Sequence, residues 1–470
     1  MFPKISNYAV YPSVVPADCE SRITIVPTEN AHLLFDGETY NLTFIAVNGD
    51  EDYYHSPHNH KKLTAIAENG VLRVSFTFEG EGEYLILLNR EGSKNVYELN
   101  VYSLYPDLLS KRVLKGDFHA HSFRSDGARD PAALAGHYRE QGYDFFALTD
   151  HNRYYPGEEI DHVFSPNPID FSRVLGEEVH APGNVVHIIH VGGKSSVAAL
   201  YVNDPESYEK EVALYEEKVP VSVPEKYRSR YARCEWVCDK IHEACGLAIF
   251  VHPYWKPGKA KSFNVCDEFA KILLMSGMFD TYELVGGMGQ EGVNRSIALW
   301  ADLRAEGLKI SVVGSSDVHK LENVTTFPHY FTLCFADANE NDAIVDAVKN
   351  GLSVAVEAIG AEYGRQYRAF GSLRLVSYAH FLLRCYYPAF TRICQGEGVA
   401  MRAYAAGHTG KEILEVLAKE SARFRKWFFG EEAPILPTEE IRKYVDERRE
   451  IQRKGPDGKG SLLGSGNTQI

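Results

Sequence analysis

No apolar stretch in the chain approaches the ~18–20 residues that a membrane-crossing helix requires, so no membrane role is expected. The first residues, MFPKISNYAVYPSVV, lack a basic start followed by an apolar run and do not read as a signal peptide. Cysteine is sparse and scattered: there are 8, and the closest group, Cys234, Cys238 and Cys245, falls in an expected helix. That spacing is neither a disulfide framework nor a zinc ribbon, and it suits a reducing compartment, so a cytoplasmic location is expected. Basic residues are also in deficit. The formal charge of −14 argues against general nucleic-acid binding, because phosphate backbones are held by an excess of Lys and Arg. Nothing in the sequence speaks to oligomeric state.

What is present is an ordinary globular composition, 44% hydrophobic and 24% charged, over 470 residues, which is too long for one core. Residues 1–112 read as all-β. Tyr40–Val47, Leu72–Phe78, Tyr84–Leu88 and Val96–Leu104 are rich in β-branched and aromatic residues and are separated by turn formers such as Asn-Gly at 48–49 and 69–70. Short strands at this spacing predict an Ig-like β-sandwich. Over residues 113–360 strand-like runs alternate with helical ones: Asp117–Ala120, a helix over 131–141, Phe145–Thr149, a helix over 225–245, Leu247–Val251, Thr281–Val285, a helix over 293–306 and Ile310–Val313. This α/β alternation predicts a parallel sheet or a barrel with helices outside. Segment 203–233 reads as an insertion able to cover a site. Residues 361–454 read as a helical extension, and 455–470, rich in Gly, Ser and Lys, as a disordered tail.

The chemistry-bearing residues recur where these strands end. Gly116-Asp-Phe-His-Ala-His-Ser-Phe-Arg-Ser-Asp-Gly127 places His119 and His121 two apart, hence on one face of a strand, with Asp126 on the next turn. Phe145–Thr149 leads to Asp150-His151-Asn152, and Arg173–Leu175 leads to Gly176-Glu177-Glu178. His187-Ile-Ile-His190 precedes Gly192-Gly193, Leu247–Val251 leads to His252-Pro253, and Ile310–Val313 runs to Ser316-Asp317-Val318-His319. Random placement would scatter such groups over helices and both strand ends. Imidazole and carboxylate donors without thiolate suit Mn²⁺, Zn²⁺ or Fe²⁺. Three such ions sharing Asp126, Glu178 and Asp317 would leave roughly three net positive charges, enough to attract a phosphate to an acidic protein.

The ordered set His-Ala-His, Ser-Asp-Gly, Thr-Asp-His, Gly-Glu-Glu, His-Ile-Ile, Val-His-Pro and Ser-Asp-Val-His resembles the polymerase-and-histidinol-phosphatase (PHP) family over residues 114–358, about half of the chain. The β-sandwich ahead of it resembles the branch that contains carbamate-insecticide hydrolases. The resemblance implies a distorted (β/α)7 barrel with two or three divalent ions at its mouth. His119, His121, Glu178 and Asp317 would hold the first ion, and Glu178, His187 and His252 the second. Asp126, His151 and His319 would hold the third. Glu177 competes with Glu178, and His190 with His187; the family pattern favours Glu178 and His187. Glu283 matches a glutamate common in the family, although Gly286-Gly287 comes after it where a polar residue is usual.

The function expected from this is hydrolysis of a small phosphorylated substrate, a phosphate mono- or diester, by a metal-bridging hydroxide. Asp317, His151 and His319 are the candidate catalytic residues. A carboxylic or carbamate ester hydrolase with the same cluster is one alternative, and a non-catalytic binding scaffold is another. Arg124 and Arg153, the cations closest to the motifs, are candidate substrate-binding residues. His55, His58 and His60 contain a second His-x-His but sit in a β-domain loop with no partner motif downstream, and read as ordinary loop histidines.

Overall fold

The computed structural model describes residues 7–49, 60–321, 326–360 and 366–454. His55, His58 and the 455–470 tail lie outside them. The chain divides into two compact units: residues 110–422, and residues 3–109 together with 423–470. No helix among the described residues is long and apolar enough to cross a membrane.

The smaller unit holds two antiparallel-rich sheets. β1 (Tyr8–Tyr11), β3 (Glu20–Pro27) and β6 (Leu72–Thr77) form one, in the order β1-β3-β6. The other is β2-β8-β7-β4-β5, from β2 (Val14–Pro16), β4 (Thr39–Ala46), β5 (Lys61–Ile66), β7 (Gly82–Arg90) and β8 (Tyr97–Leu104). Residues alternate between buried and open along β3, β4 and β7, as a strand with one face on a core requires. Ile23, Ile25 and Phe76 from the first sheet share a core with Leu42, Phe44, Ile86 and Val101 from the second. Phe44 and Phe76 stack across it with centroids 3.9 Å apart. Helix Glu439–Lys454 belongs to this unit, and its Arg449 guanidinium lies 4.0 Å above the Phe35 ring.

The larger unit is built on one ten-stranded sheet that curls into a nearly closed barrel. Its strands are β9 (Arg112–Asp117), β10 (Phe145–Leu148), β11 (Ser172–Val179), β12 (Ile188–Gly192), β13 (Gly246–Phe250), β14 (Thr281–Val285), β15 (Ser311–Gly314), β16 (Tyr330–Ala336), β17 (Ser353–Ile359) and β18 (Gln366–Phe370). The order is β15-β14-β13-β12-β11-β10-β9-β16-β17-β18. Side chains stitch the seam: the Gly314 amide donates to Thr332 Oγ1 at 3.0 Å, and Ser353 Oγ donates to the Val312 carbonyl at 2.9 Å. The interior is packed with Leu114, Phe145, Val174, Ile189, Ile249 and Val313. Helix Asn341–Lys349 closes the end where β13 begins, its Lys349 Nζ donating to the Gly246 carbonyl at 2.7 Å.

Strand direction in this barrel is mixed. β10 is parallel to β9 and β11, and β13 to β14 and β15. β12, however, runs antiparallel to both its neighbours, and β9, β16, β17 and β18 pair antiparallel. β9 also ends earlier than expected, at Asp117. His119 and His121 lie beyond it, on an extension where Ala120 bridges Val318 and accepts the Thr149 amide at 2.8 Å. Segment 203–233 is largely helical: Pro205–Lys218 packs Tyr208 and Val212 against Trp236 of helix Arg228–Glu243.

Candidate metal centre

Three local devices aim the candidate ligands at one point. First, strands β10, β11, β13 and β15 all run toward the barrel mouth, so the residues at their downstream ends gather there. His151 and Glu178 are bridged directly, and Asp317 donates its amide to the His119 carbonyl at 2.9 Å. Second, the antiparallel β12 places its start, not its end, at the mouth. His187, just before β12, therefore enters the cluster. His190, inside the strand, pairs with Glu177 at 3.2 Å on the other face, where Glu177 also accepts from Ser196 Oγ at 2.8 Å and from the Val197 amide at 2.6 Å. The expectation that every group lies downstream of its strand thus fails for His187. Third, the backbone bends sharply where ligands leave the strands: Asp317, His252 and Asn152 have φ of 52°, 26° and 54°, a region L-residues seldom occupy except where the surroundings enforce it.

Glu178 is the hub. Its side chain is 1% exposed, and each carboxylate oxygen faces three imidazole nitrogens. Around Oε2 lie His151 Nδ1 at 2.9 Å, His121 Nε2 at 3.4 Å and His119 Nε2 at 3.5 Å. Around Oε1 lie His187 Nδ1 at 2.8 Å, His252 Nε2 at 3.2 Å and His180 Nε2 at 3.3 Å. Asp317 Oδ1 lies 3.2 Å from both His119 Nε2 and His121 Nε2. Asp126 Oδ1 lies 3.3 Å from both His151 Nε2 and His319 Nε2.

Four sets of donor atoms are mutually close enough to hold a cation: His121, Asp126, His151 and His319; His119, His121 and Asp317; His119, Glu178 and His252; and His151, Glu178 and His180. His187 belongs to none of the four and approaches through its contact with Glu178. A test of fit comes from hydrogen bonding. His119 Nε2 and His121 Nε2 are buried, point at carboxylates, and make no hydrogen bond. Buried polar atoms are costly unless satisfied. Ligands bound at about 2.1 Å around one ion stand roughly 3.0–3.4 Å apart, close to the spacings seen here. A carboxylate offers about four lone-pair sites, too few for six converging nitrogens as a hydrogen-bond network. The donor set fits divalent cations.

The electrostatics agree. Burial works to raise the Asp317 carboxyl, but His119, His121 and His252 outweigh it and hold it well below the usual carboxylate range. Glu178 is depressed in the same way, against its own burial, by His119, His151 and His180. Burial works to lower His119, yet Asp317 and Glu178 drive it well above the ordinary imidazole value. Burial dominates at His187 and brings it down to about 4. The pocket therefore favours positive charge on the carboxylate side, which a cation supplies without protonating the ligands.

A layer of uncharged and acidic groups fixes the ligands. Glu283 Oε2 accepts from His119 Nδ1 at 3.1 Å, which leaves Nε2 free to point inward. Asp117 Oδ1 accepts the amides of His119 and Ser316 at 3.0 Å each, while its Oδ2 accepts from Tyr138 Oη at 2.7 Å. Asp150 takes the Ser122 amide at 2.8 Å and Ser125 Oγ at 2.6 Å, pinning the turn that carries Asp126. The glycines after Glu283 have a steric reason. A Cβ on Gly287 would lie 2.3 Å from Asp317 Oδ2, and one on Gly286 would lie 2.8 Å from the Glu283 carboxyl. Gly287→Ala is therefore expected to push Asp317 aside and weaken divalent-cation affinity roughly 10–100-fold, the range found when a ligand loses its support. Calorimetric titration with Mn²⁺ checks this; wild-type affinity in the variant would contradict it.

The two candidate cations lie outside this inner layer. Arg124 is held bidentate by Glu159, with Nε to Oε1 at 2.6 Å and Nη2 to Oε2 at 2.9 Å, and its guanidinium lies over the Phe123 ring. Arg153 is exposed, and its guanidinium has no ion pair among the described residues. His180 was not singled out in the sequence. Its signal is the Glu178-x-His180 spacing, which places both residues on one face where β11 ends.

No protein-family model matches the chain. A stretch of 98 residues is 35% identical to the DNA polymerase/3'-5' exonuclease PolX of Bacillus subtilis, spanning 19% of this chain and 17% of PolX. A two-domain protein of Bacteroides vulgatus containing a predicted PHP-like metal-dependent phosphoesterase aligns at 17% identity over 52% of this chain and 65% of that one, with a TM-score of 0.36. An amidohydrolase of Chromobacterium violaceum, with bound sulfate and no metal, aligns at 17% identity over 44% of this chain and 88% of that one, with a TM-score of 0.30. Each similarity is partial, and those to the solved structures carry no weight on chemistry. The ordered His and carboxylate motifs, their convergence on Glu178 and the PolX match together support kinship with the PHP-domain family.

Proposed function

We propose that the chain is a metal-dependent hydrolase acting in the cytoplasm on a small phosphorylated substrate, a phosphate mono- or diester. The observation that carries the proposal is the convergence of six imidazole nitrogens on the buried Glu178, flanked by Asp317 and Asp126. His119, His121, Glu178 and Asp317 would hold one ion, Glu178, His187 and His252 another, and Asp126, His151 and His319 a third. Mn²⁺, Zn²⁺ and Fe²⁺ all suit such donors. Divalent ions at such a site act as Lewis acids toward a phosphoryl or carbonyl oxygen and make water a competent nucleophile near neutral pH.

The protein's own groups account for the rest. His151 and His319 are partly exposed imidazoles of the cluster, with side chains 26% and 34% exposed, so a leaving oxygen can reach them for a proton. Asp317 orients His119 and His121 toward the reaction centre. Arg153 would meet a substrate phosphate, and Arg124 would do so only on leaving Glu159. The fold that accompanies this reading is a distorted (β/α)7 barrel behind an N-terminal β-sandwich. The PolX stretch supports phosphate chemistry, since an exonuclease cleaves phosphodiesters.

The test is hydrolysis of matched p-nitrophenyl esters by the Mn²⁺-loaded protein: phosphate monoester, phosphate diester and N-methylcarbamate. Turnover of either phosphate, abolished in Asp317→Asn, is the expected result. Carbamate turnover with both phosphates inert would overturn phosphate specificity and favour the carbamate or carboxylic ester alternative. Full activity in Asp317→Asn would remove the cluster as catalyst. Inactivity on every ester, with no uptake of Mn²⁺, Zn²⁺ or Fe²⁺, would favour a binding scaffold.

A further inference from the structure

The Oε1 oxygen of Glu178 has one more imidazole beside it than the family's ligand pattern supplies. His187 and His252 belong to that pattern. His180 does not, yet its Nε2 lies 3.3 Å from Oε1, and with Glu178 and His151 it forms one of the four sets of mutually close donors. Three nitrogens around one oxygen exceed what that oxygen accepts as hydrogen bonds, since each carboxylate oxygen has about two lone pairs. An ion resting on that oxygen would be met by the same three nitrogens, each within 3.3 Å of it.

The position of His180 is built rather than incidental. It comes directly after β11, two residues after Glu178, so both side chains leave the same face of the strand. Its amide donates to Asn152 Oδ1 at 2.8 Å, and that oxygen is also held by the hydroxyl of the buried Tyr201 at 2.6 Å. Asn152 donates its own amide to the Glu178 carbonyl at 2.9 Å and keeps a φ of 54°. The His180 ring stacks on His187 with centroids 3.8 Å apart, and its Nε2 lies 3.1 Å from His151 Nδ1. Its side chain is 30% exposed, so an ion can reach it from solvent.

We propose that His180 is a metal ligand, and that the ion held on Glu178 Oε1 has four protein donors: Glu178, His180, His187 and His252. The inference rests on the metal-dependent reading above. Four protein donors match the four-coordinate geometry usual for protein-bound Zn²⁺. A three-imidazole, one-carboxylate set also favours four-coordinate Zn²⁺ or Co²⁺ over Mn²⁺, which prefers more oxygen ligands.

Co²⁺ titration of the full chain separates the possibilities, read by visible absorption and by bound cobalt after dialysis. Four-coordinate Co²⁺ absorbs far more strongly than six-coordinate Co²⁺. Wild type should bind one class of Co²⁺ with the intense four-coordinate bands. In His180→Ala and His180→Gln that intensity should fall and that class should weaken by at least ~10-fold, the lower end of what losing even an outer-shell partner causes. Added free imidazole should restore the bands in His180→Ala. Equal thermal stability of the metal-free forms excludes misfolding as the cause. Unchanged bands, stoichiometry and affinity in both variants would overturn the role of His180 and leave the metal centre standing. Failure of wild type to bind any cobalt would overturn both.

Discussion

Glu178→Gln is expected to remove two ions' worth of binding at once and to abolish hydrolysis. The substitution keeps the shape of the side chain and removes only its charge, so packing is preserved while each carboxylate oxygen's role is lost. Both oxygens matter, since imidazoles of His119, His121 and His151 face one and those of His180, His187 and His252 face the other. Loss of a supporting partner outside the first ring of ligands weakens binding roughly 10–100-fold, so loss of a shared ligand should exceed about 100-fold. Cation content by mass spectrometry and affinity by calorimetry give the result directly. A variant that retains two tightly bound ions would show that Glu178 does not bridge. Glu177→Gln serves as the control. Glu177 lies on the opposite face of β11, with His190 and Ser196, and its loss should leave cation content unchanged.

The second large effect is on stability and lies away from the site. Arg139 and Glu397 are 1% and 0% exposed at the side chain and meet at 2.6 Å from Nε to Oε2. Ser421 Oγ donates to the other Glu397 oxygen at 2.5 Å, and Arg139 also reaches the Tyr143 carbonyl at 3.0 Å and Asp144 at 3.5 Å. The pair joins helix Pro131–Glu140 to helix Tyr387–Ala405. These helices touch backbone to backbone, because a Cβ on Gly398 would fall 2.4 Å from the Gly136 carbonyl oxygen. Glu397→Leu strands a buried guanidinium, and breaking a buried pair from one side costs about 3–5 kcal/mol. Asp144 remains within reach of Arg139, so the loss should fall near about 3 kcal/mol. The double variant Arg139→Met/Glu397→Leu removes both charges and should recover much of this, since well-packed apolar replacements of buried pairs are frequently neutral. Urea unfolding monitored on the larger unit measures both. A loss below about 1 kcal/mol for the single variant would show that water or Asp144 compensates fully.

How much of this was legible in the chain depends on the distance over which each feature is encoded. His119-x-His121, Asp150-His151, His252-Pro253 and Asp317-x-His319 are each local, and each sits where an apolar run stops, so the pattern was visible without coordinates. Thr281–Val285 and the helix beginning at Pro131 were also local, set by β-branched content and by an Asp130 N-cap ahead of Pro131. The choice between His187 and His190 was not local. Family pattern points to His187, but the physical reason is the antiparallel run of β12, set by pairing with β11 just before it and with β13 more than fifty positions on. The same holds for Gly286-Gly287, an unexpected pair in the motif whose reason is the Asp317 side chain packed against it.

The sequence by itself determined the donor types, their order and the apolar strands that deliver them, because side-chain chemistry and short-range periodicity are written residue by residue. Only the tertiary structure decided which oxygen of Glu178 faces which imidazoles, that His180 stands among them while Glu177 and His190 turn away, and that Glu283 and Asp117 hold His119 from behind. Those outcomes depend on strand direction, on left-handed turns at Asn152, His252 and Asp317, and on contacts between residues more than a hundred positions apart. Short-range periodicity carries no record of them.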